Sequence, residues 1–224
     1  MPAPETRASY HHGALRRELI TACVSLIESE GIGAVSLRRV AREAGVSPGA
    51  PYHHFADRSA LLAAIAVQGH ELLLERLRDA RRRAPTAVRA LGALVEAYVR
   101  FARDHPAHVH LMLRPELCQP DKHPEAQTAG ADAIRLLTET VEDCQREGTA
   151  PPGDPAPLVN MVWALAIGIV TLWLDGPLEG RCVALGTTPE ALTAQITALL
   201  ENALRGSPAP ANVDQAGRTA ENST

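Results

Sequence analysis

The run Ser36-Leu37-Arg38-Arg39-Val40-Ala41-Arg42-Glu43-Ala44-Gly45-Val46-Ser47-Pro48-Gly49-Ala50-Pro51-Tyr52-His53-His54-Phe55 decides the fold. Leu37, Val40, Ala41 and Ala44 recur at spacings of three and four, which places them on one face of a short helix. Gly45 supplies the positive φ that ends it, and Val46 packs back on the turn. Ser47 caps a second helix, and Pro48 takes its first position, where a missing N–H costs nothing. Two short helices joined by a glycine turn form a helix-turn-helix. Such a unit lays its second helix in the DNA major groove.

The flanking residues extend this into an all-α chain. On the N-terminal side a helix runs from about His12 to Glu30, with Leu15, Leu19, Ala22, Cys23, Leu26 and Ile27 as its buried stripe and Gly31 as its stop. On the C-terminal side Asp57 caps a helix whose inner face carries Leu61, Leu62, Ile65, Leu72, Leu73 and Leu77, closed by Arg81-Arg82-Arg83 and Pro85. Those arginines suit the negative end of the helix dipole better than a phosphate. A helix from Thr86 to Asp104 turns Leu91, Leu94, Val95, Tyr98 and Phe101 inward, and Pro106 opens a short one with Val109, Leu111, Met112 and Leu113. Residues 114–124, with three prolines, read as a loop. Helices follow through Ile134, Leu137, Val141 and Cys144 to Gly148, then over 158–174; residues 178–187 read as a loop, and Thr188-Pro189 begins a last helix. The expected organisation is a flexible arm (1–9), a three-helix DNA-binding domain (10–56), a helical effector-binding and dimerisation domain (57–205) and a disordered tail (206–224).

Composition supports this reading. Of 224 residues, 46% are hydrophobic and 3% aromatic, enough for a core and no signature of disorder. The net charge of −4 is uneven. Residues 1–83 hold 12 Arg or Lys against 9 Asp or Glu, and residues 84–224 hold 10 against 17. The positive end coincides with the helix-turn-helix, as attraction to phosphate requires. Cys23, Cys118, Cys144 and Cys182 show neither pairing nor metal spacing and read as small hydrophobes in a reducing cytoplasm. The N-terminus lacks the apolar run of a signal peptide. Leu158 to Leu174 is at the short end for a bilayer span and contains Asn160, Gly168 and Thr171, so it is expected to be a buried helix and not a membrane anchor.

That helix is apolar nearly all round and must be covered on two sides. One side is the core of its own domain. The other fits a two-fold partner, through an isologous four-helix contact with the final helix. The expected dimer residues are Leu158, Val162, Leu165, Ile169, Leu172, Leu192, Ile196, Leu199 and Leu200; the alternative is a central helix in a monomeric bundle.

The order of these elements resembles the TetR family of bacterial transcriptional regulators. The resemblance is strongest from about Gly13 to Ala64, in Ser36-Leu37-Arg38-Arg39-Val40-Ala41, Ala44-Gly45-Val46-Ser47, Tyr52-His53-His54-Phe55 and Asp57-Arg58-Ser59-Ala60-Leu61-Leu62. Tyr10-His11-His12-Gly13 resembles one branch, whose C-terminal domain tends to carry a Trp and a His-Gly pair on its penultimate helix. Trp163 and Gly168 match that pattern, while Ile167 stands in place of the histidine. The resemblance implies a homodimer that binds a palindromic operator in double-stranded DNA and is released, usually as a repressor, by a small molecule that shifts the fourth helix.

It also implies roles for residues. Pro48, Gly49, Ala50 and His53 face the groove, Tyr52 and His54 reach phosphates, Arg38 reads a base or phosphate, Ser36 donates to a phosphate, and Arg58 contacts one. Few of these can read a base edge. Ala50 can touch a thymine methyl, and His53 or Arg38 can bond a guanine, so part of the specificity is expected from DNA shape. Phe55 belongs in the core, and the Tyr52 ring is expected to pack while its hydroxyl meets the backbone. Arg7 and Tyr10 to His12 are candidates for further contacts from the arm.

The candidate effector residues are Tyr98, Phe101, His108, Met112, Met161, Trp163 and Ile167, between the 86–104 helix, the Val109–Leu113 helix and the 158–174 helix. They lack a charged cluster, which favours an apolar or weakly polar effector; the alternative is that they simply fill the core of a DNA-binding regulator without an effector. His105 and His108, three apart beside Asp104 and His110, are a plausible metal pair, but Pro106 breaks the register and no cysteine lies near in sequence, so no metal is expected. Neither a phosphate loop, a Ser-centred elbow nor a His-Glu-x-x-His points to an enzyme, a remote alternative, and no cofactor is expected.

Overall fold

The structure, a computed structural model, describes residues 7–206. The expected tail beyond 206 and the first six residues of the expected arm lie outside the described residues, as do the side chains of residues 7–12. Helix α1 (Arg7–Glu30) begins five residues before the expected start, inside the stretch read as an arm. It is followed by α2 (Leu37–Glu43), α3 (Arg58–Arg83), α4 (Ala87–Asp104), α5 (Pro106–Met112), α6 (Pro124–Thr128), α7 (Ala131–Arg146), α8 (Ala156–Leu174), α9 (Leu178–Ala184) and α10 (Pro189–Gly206). The fold is all-α among the described residues.

Side chains set several helix starts. Asp57 Oδ1 accepts from Ala60 N at 2.9 Å to open α3, and Thr188 Oγ1 accepts from Ala191 N at 3.2 Å in the first turn of α10. Thr86 Oγ1 takes the Arg89 N–H at 3.4 Å and starts α4. Glycine ends α2 in a Schellman motif: Val46 N donates to Ala41 O and Gly45 N to Arg42 O, with Gly45 at φ +69°.

Two cores form. The first joins Leu19, Cys23 and Leu26 of α1, Val40 of α2, Phe55, and Leu61, Leu62 and Ile65 of α3. It also takes in Ala107, Leu111 and Cys118, so the head is closed by residues far beyond position 56. The second lies around α4, through Leu91, Val95, Val99 and Phe101, against α3, α7, α8 and α10. Helix α3 serves both. Arg81 ties its C-terminus to α7, donating to Glu139 at 2.8 Å and Asp143 at 2.7 Å. These ion pairs, more than the helix dipole, explain that arginine.

Both stretches read as loops contain helix. In 114–124 a 3-10 turn forms over Pro115–Cys118, with α6 starting at Pro124. In 178–187 the pair Leu178 and Cys182, four apart and both buried, anchors α9 to the second core. Helix α8 is long and apolar enough to cross a membrane. In this fold Val159, Val162, Ala166, Ile169 and Val170 are buried, and α8 packs on α4 and α7.

Candidate functional site

The expected second helix of the helix-turn-helix, over Pro48 to His54, is a 3-10 turn over Ala50–His53. Pro51 explains it. In an α-helix capped at Ser47, residue 51 donates to the Ser47 carbonyl, and proline has no N–H to give. The carbonyl is taken instead by Ala50 N at 3.0 Å, and the pattern repeats from Tyr52 N to Gly49 O at 3.2 Å and from His54 N to Pro51 O at 2.9 Å. Ser47 thus contributes its carbonyl where a side-chain cap was expected. Pro51 and Phe55 fix the turn from below, with the Arg16 guanidinium 5.3 Å from the centre of the Phe55 ring.

Above these anchors Ser36, Arg38, Pro48, Gly49, Tyr52 and His53 are exposed, while Ala50 and His54 are half-buried. The Tyr52 ring is 54% exposed, so it stands out from the turn where packing was expected. Ser36 Oγ accepts from Arg39 N at 3.2 Å, and Arg39 pairs with Glu30 of α1. Arg39 is thereby committed, whereas Arg38 is not. Arg42, exposed and one turn beyond Arg38, shares its face and was not among the expected contacts. The i+4 spacing was the available signal.

Arg58 has a different role from the one expected. Its Nε donates to Val35 O at 2.9 Å and its NH2 to Ile32 O at 2.8 Å. It clamps the α1–α2 connection to the first turn of α3. The Asp57 carboxylate already occupies the α3 N-terminus, accepting from Ala60 N and from Ser59 Oγ at 2.6 Å. Its negative charge sits where a phosphate was expected to bind. These hydrogen bonds hold the carboxyl below the usual carboxylate range.

A cavity of about 390 Å³ opens between α3, α4, α7 and α8. Four of the expected residues line it: Tyr98, Met112, Trp163 and Ile167. Phe101, His108 and Met161 do not. Phe101 is fully buried beneath the Arg76 guanidinium and against the His105 ring, 4.9 Å between centres. His108 is buried with its Nε2 3.3 Å from Gln68 Oε1, and desolvation, with the nearby His105 charge, pushes its pKa down to about 4. Met161 is 49% exposed on the outer face of α8.

Among the lining residues that sequence reasoning missed are His70, Leu73 and Leu77 on α3, Gly130, and Leu137 on α7. The leucines carried a core signal that does not separate a wall from a filled interior. A larger groove of about 490 Å³ lies between α3, α4 and α10. Its charges are largely mutually paired, Arg76 with Asp104, Arg89 with Glu201 and Arg100 with Glu96, so it offers a ligand less than the smaller apolar cavity does.

The three histidines near Asp104 find separate partners: His105 meets Arg76, His108 meets Gln68 and His110 meets Asp175. Among the described residues no group of three or more His, Cys, Asp or Glu is placed to hold a metal ion, and all four cysteines are free and buried.

The expected dimer residues divide. Val162 is 2% exposed and lines the cavity, and Ile169 is buried, so both turn inward. Packing on α4 and α7 sets that orientation. Leu172 and Leu199 are exposed; Leu158, Leu165, Leu192, Ile196 and Leu200 are half-buried at the rim of the second core. Met161 joins the outer face, and Val183 and Leu185, on and just past α9, are also exposed.

A helix-turn-helix head on a helical domain defines a class of DNA-binding regulator. Residues 19–65 match the model for bacterial regulatory proteins of the tetR family, and residues 91–200 match a tetracyclin repressor-like C-terminal domain. The chain belongs to the TetR family of transcriptional regulators. It is similar to a protein of unknown function from Rhodococcus sp. RHA1, at 33% identity and a TM-score of 0.72 over 88% of this chain and 98% of that one. A tetR-family regulator from Rhodococcus RHA1 shares the fold at 20% identity and a TM-score of 0.69, over 86% and 98% of the two chains. So does the regulator FadR from Bacillus subtilis, solved in complex with stearoyl-CoA, at 18% identity and a TM-score of 0.65, over 82% and 96%.

Proposed function

We propose that the chain is a cytoplasmic, homodimeric repressor that binds a palindromic operator and lets it go when an apolar effector enters the 390 Å³ cavity. One observation carries this reading. Helix α3 is unbroken from Arg58, clamped to the head, to His70, Leu73 and Leu77 at the cavity wall. A ligand that wedges between α3 and the α7–α8 pair bears on the same rigid element that carries the reading turn. Two heads related by a two-fold axis read two half-sites, and a shift of α3 changes their separation. The Bacillus subtilis regulator FadR, similar in fold, is solved with stearoyl-CoA, whose acyl chain is the kind of apolar group this cavity suits. The protein is a binder and not an enzyme. Ser36, Arg38, Pro48, Gly49, Ala50, Tyr52, His53 and His54 form the DNA surface, and Arg58 acts as the clamp behind it.

Fluorescence anisotropy with duplexes from the DNA flanking its own gene tests this. Affinity falls by about a thousandfold between roughly 50 and 200 mM salt, as counterion release at several phosphates demands. Tyr52→Ala loses at least about tenfold in affinity, the effect of removing a hydrogen bond to a charged group, and keeps its helical circular dichroism. Salt-independent binding, or normal operator affinity in Tyr52→Ala, overturns the assignment.

A further inference from the structure

Polar side chains are few among the lining residues. They are His70, Tyr98 and Trp163, with neither a carboxylate nor an Arg or Lys. The His70 ring lies against Gly130, where an added Cβ would come within 3.0 Å of its Cε1. Its Nδ1 is sealed from solvent and has no hydrogen-bond partner. A sealed N–H without an acceptor is costlier than a sealed lone pair, so the favoured tautomer carries its proton on Nε2. Burial pushes the His70 pKa below its ordinary value and the Tyr98 hydroxyl up to about 12, so the first stays neutral and the second stays protonated at neutral pH. The wall therefore offers donors and no charge. At about 30 Å³ per water-sized atom, 390 Å³ holds on the order of a dozen heavy atoms.

We propose that the cavity takes an uncharged, mainly hydrocarbon compound with a single carbonyl group, whose oxygen accepts from His70 Nε2–H and Tyr98 O–H. This rests on the effector-controlled reading above and names its ligand class. A carbonyl oxygen has two lone pairs, one for each donor, and the lining leucines and Ile167 suit the hydrocarbon part. A carboxylate of the same length enters without a cation to meet its charge, which a site of this kind penalises.

The test uses the full chain in a Trp173→Phe background, which leaves Trp163 as the single indole. Methyl octyl ketone and decanoate are titrated at neutral pH against Trp163 fluorescence. The ketone binds at least about tenfold more tightly than decanoate, and His70→Phe and Tyr98→Phe each weaken the ketone about fivefold, the usual size of one neutral hydrogen bond. Melting curves check that the variants fold. Should either variant fail to fold, the ketone-to-decanoate ratio in the parent protein still decides. Decanoate binding as tightly as the ketone, ketone affinity unchanged in both variants, or no response to either probe overturns the assignment. A ketone that binds as expected yet leaves operator affinity unchanged supports the ligand class and sinks the release mechanism instead.

Discussion

His108 is buried between α3 and α5, and its Nδ1 has no hydrogen-bond partner. Its pKa of about 4 lies well below the ordinary 6.5, because burial penalises the charged ring and the neighbouring His105 opposes a second positive charge. The unfolded chain therefore binds this proton at a higher pH than the folded one. Stability is full above pH 6.5 and declines as pH falls toward 4. His70 and His105, also shifted down by burial, act with the same sign. Asp57, Asp104 and Asp143, held low by their hydrogen bonds, add a further loss only in the carboxylate range below that window. Thermal melting across pH 7 to 4 should show the fall, and His108→Leu should flatten much of it. A melting temperature independent of pH over this window would contradict the assigned burial.

The helices differ in how sharply their sequences define them. Ser36, Asp57 and Thr86 cap as their residue types suggest, and Gly45 ends α2 with the positive φ its position called for. For Asp57 the cap also fixes where the head meets the shaft of α3, so Asp57→Ala is expected to destabilise by about 1 kcal/mol and to lower the melting temperature by about 2–4 °C. An unchanged Tm would mean the α3 N–H groups find another acceptor. The reading turn was harder to foresee, because Pro48 favours an α-helical start while Pro51 removes the bond that would continue it. Helix α9 was hidden for a different reason: Gly180 sits between its two anchors, Leu178 and Cys182, and weakens the helical signal. In α8 apolar residues surround the axis, so the sequence shows that it is buried without showing which way it turns. Met161 and Val162 are adjacent in the chain, yet the first is exposed and the second buried. Tyr98, Met112, Trp163 and Ile167 were legible as cavity residues, while the α3 wall, whose leucines carry only a core signal, was not.

At the scale of the whole molecule the outer faces of α8 and α10 present Met161, Leu172 and Leu199, the last 67% exposed. A stable isologous interface needs roughly 1,600 Å² in total with an apolar centre, and these faces supply such a centre. Leu199→Glu places a charge there and, if the proposed dimer uses these faces, converts it to a monomer in sedimentation or light scattering, with helicity retained. A Leu199→Glu protein that still sediments as a dimer would place the contact elsewhere. Loss of the dimer removes the second half-site contact, so operator affinity should fall with it while binding to the cavity persists.

The 26 residues of α3 give it a length of about 39 Å at 1.5 Å per residue. That makes it a mechanical lever with the Arg58 clamp at one end and the ties of Arg81 to Glu139 and Asp143 at the other. A tilt of about 5° around the tied end carries the clamped end through about 3 Å, a displacement that follows from this helix length. That displacement reaches the clamp only because the helix is unbroken for its whole length. A proline near its midpoint would leave both ends in place and uncouple them, much as a cut in a tiller leaves hand and rudder intact.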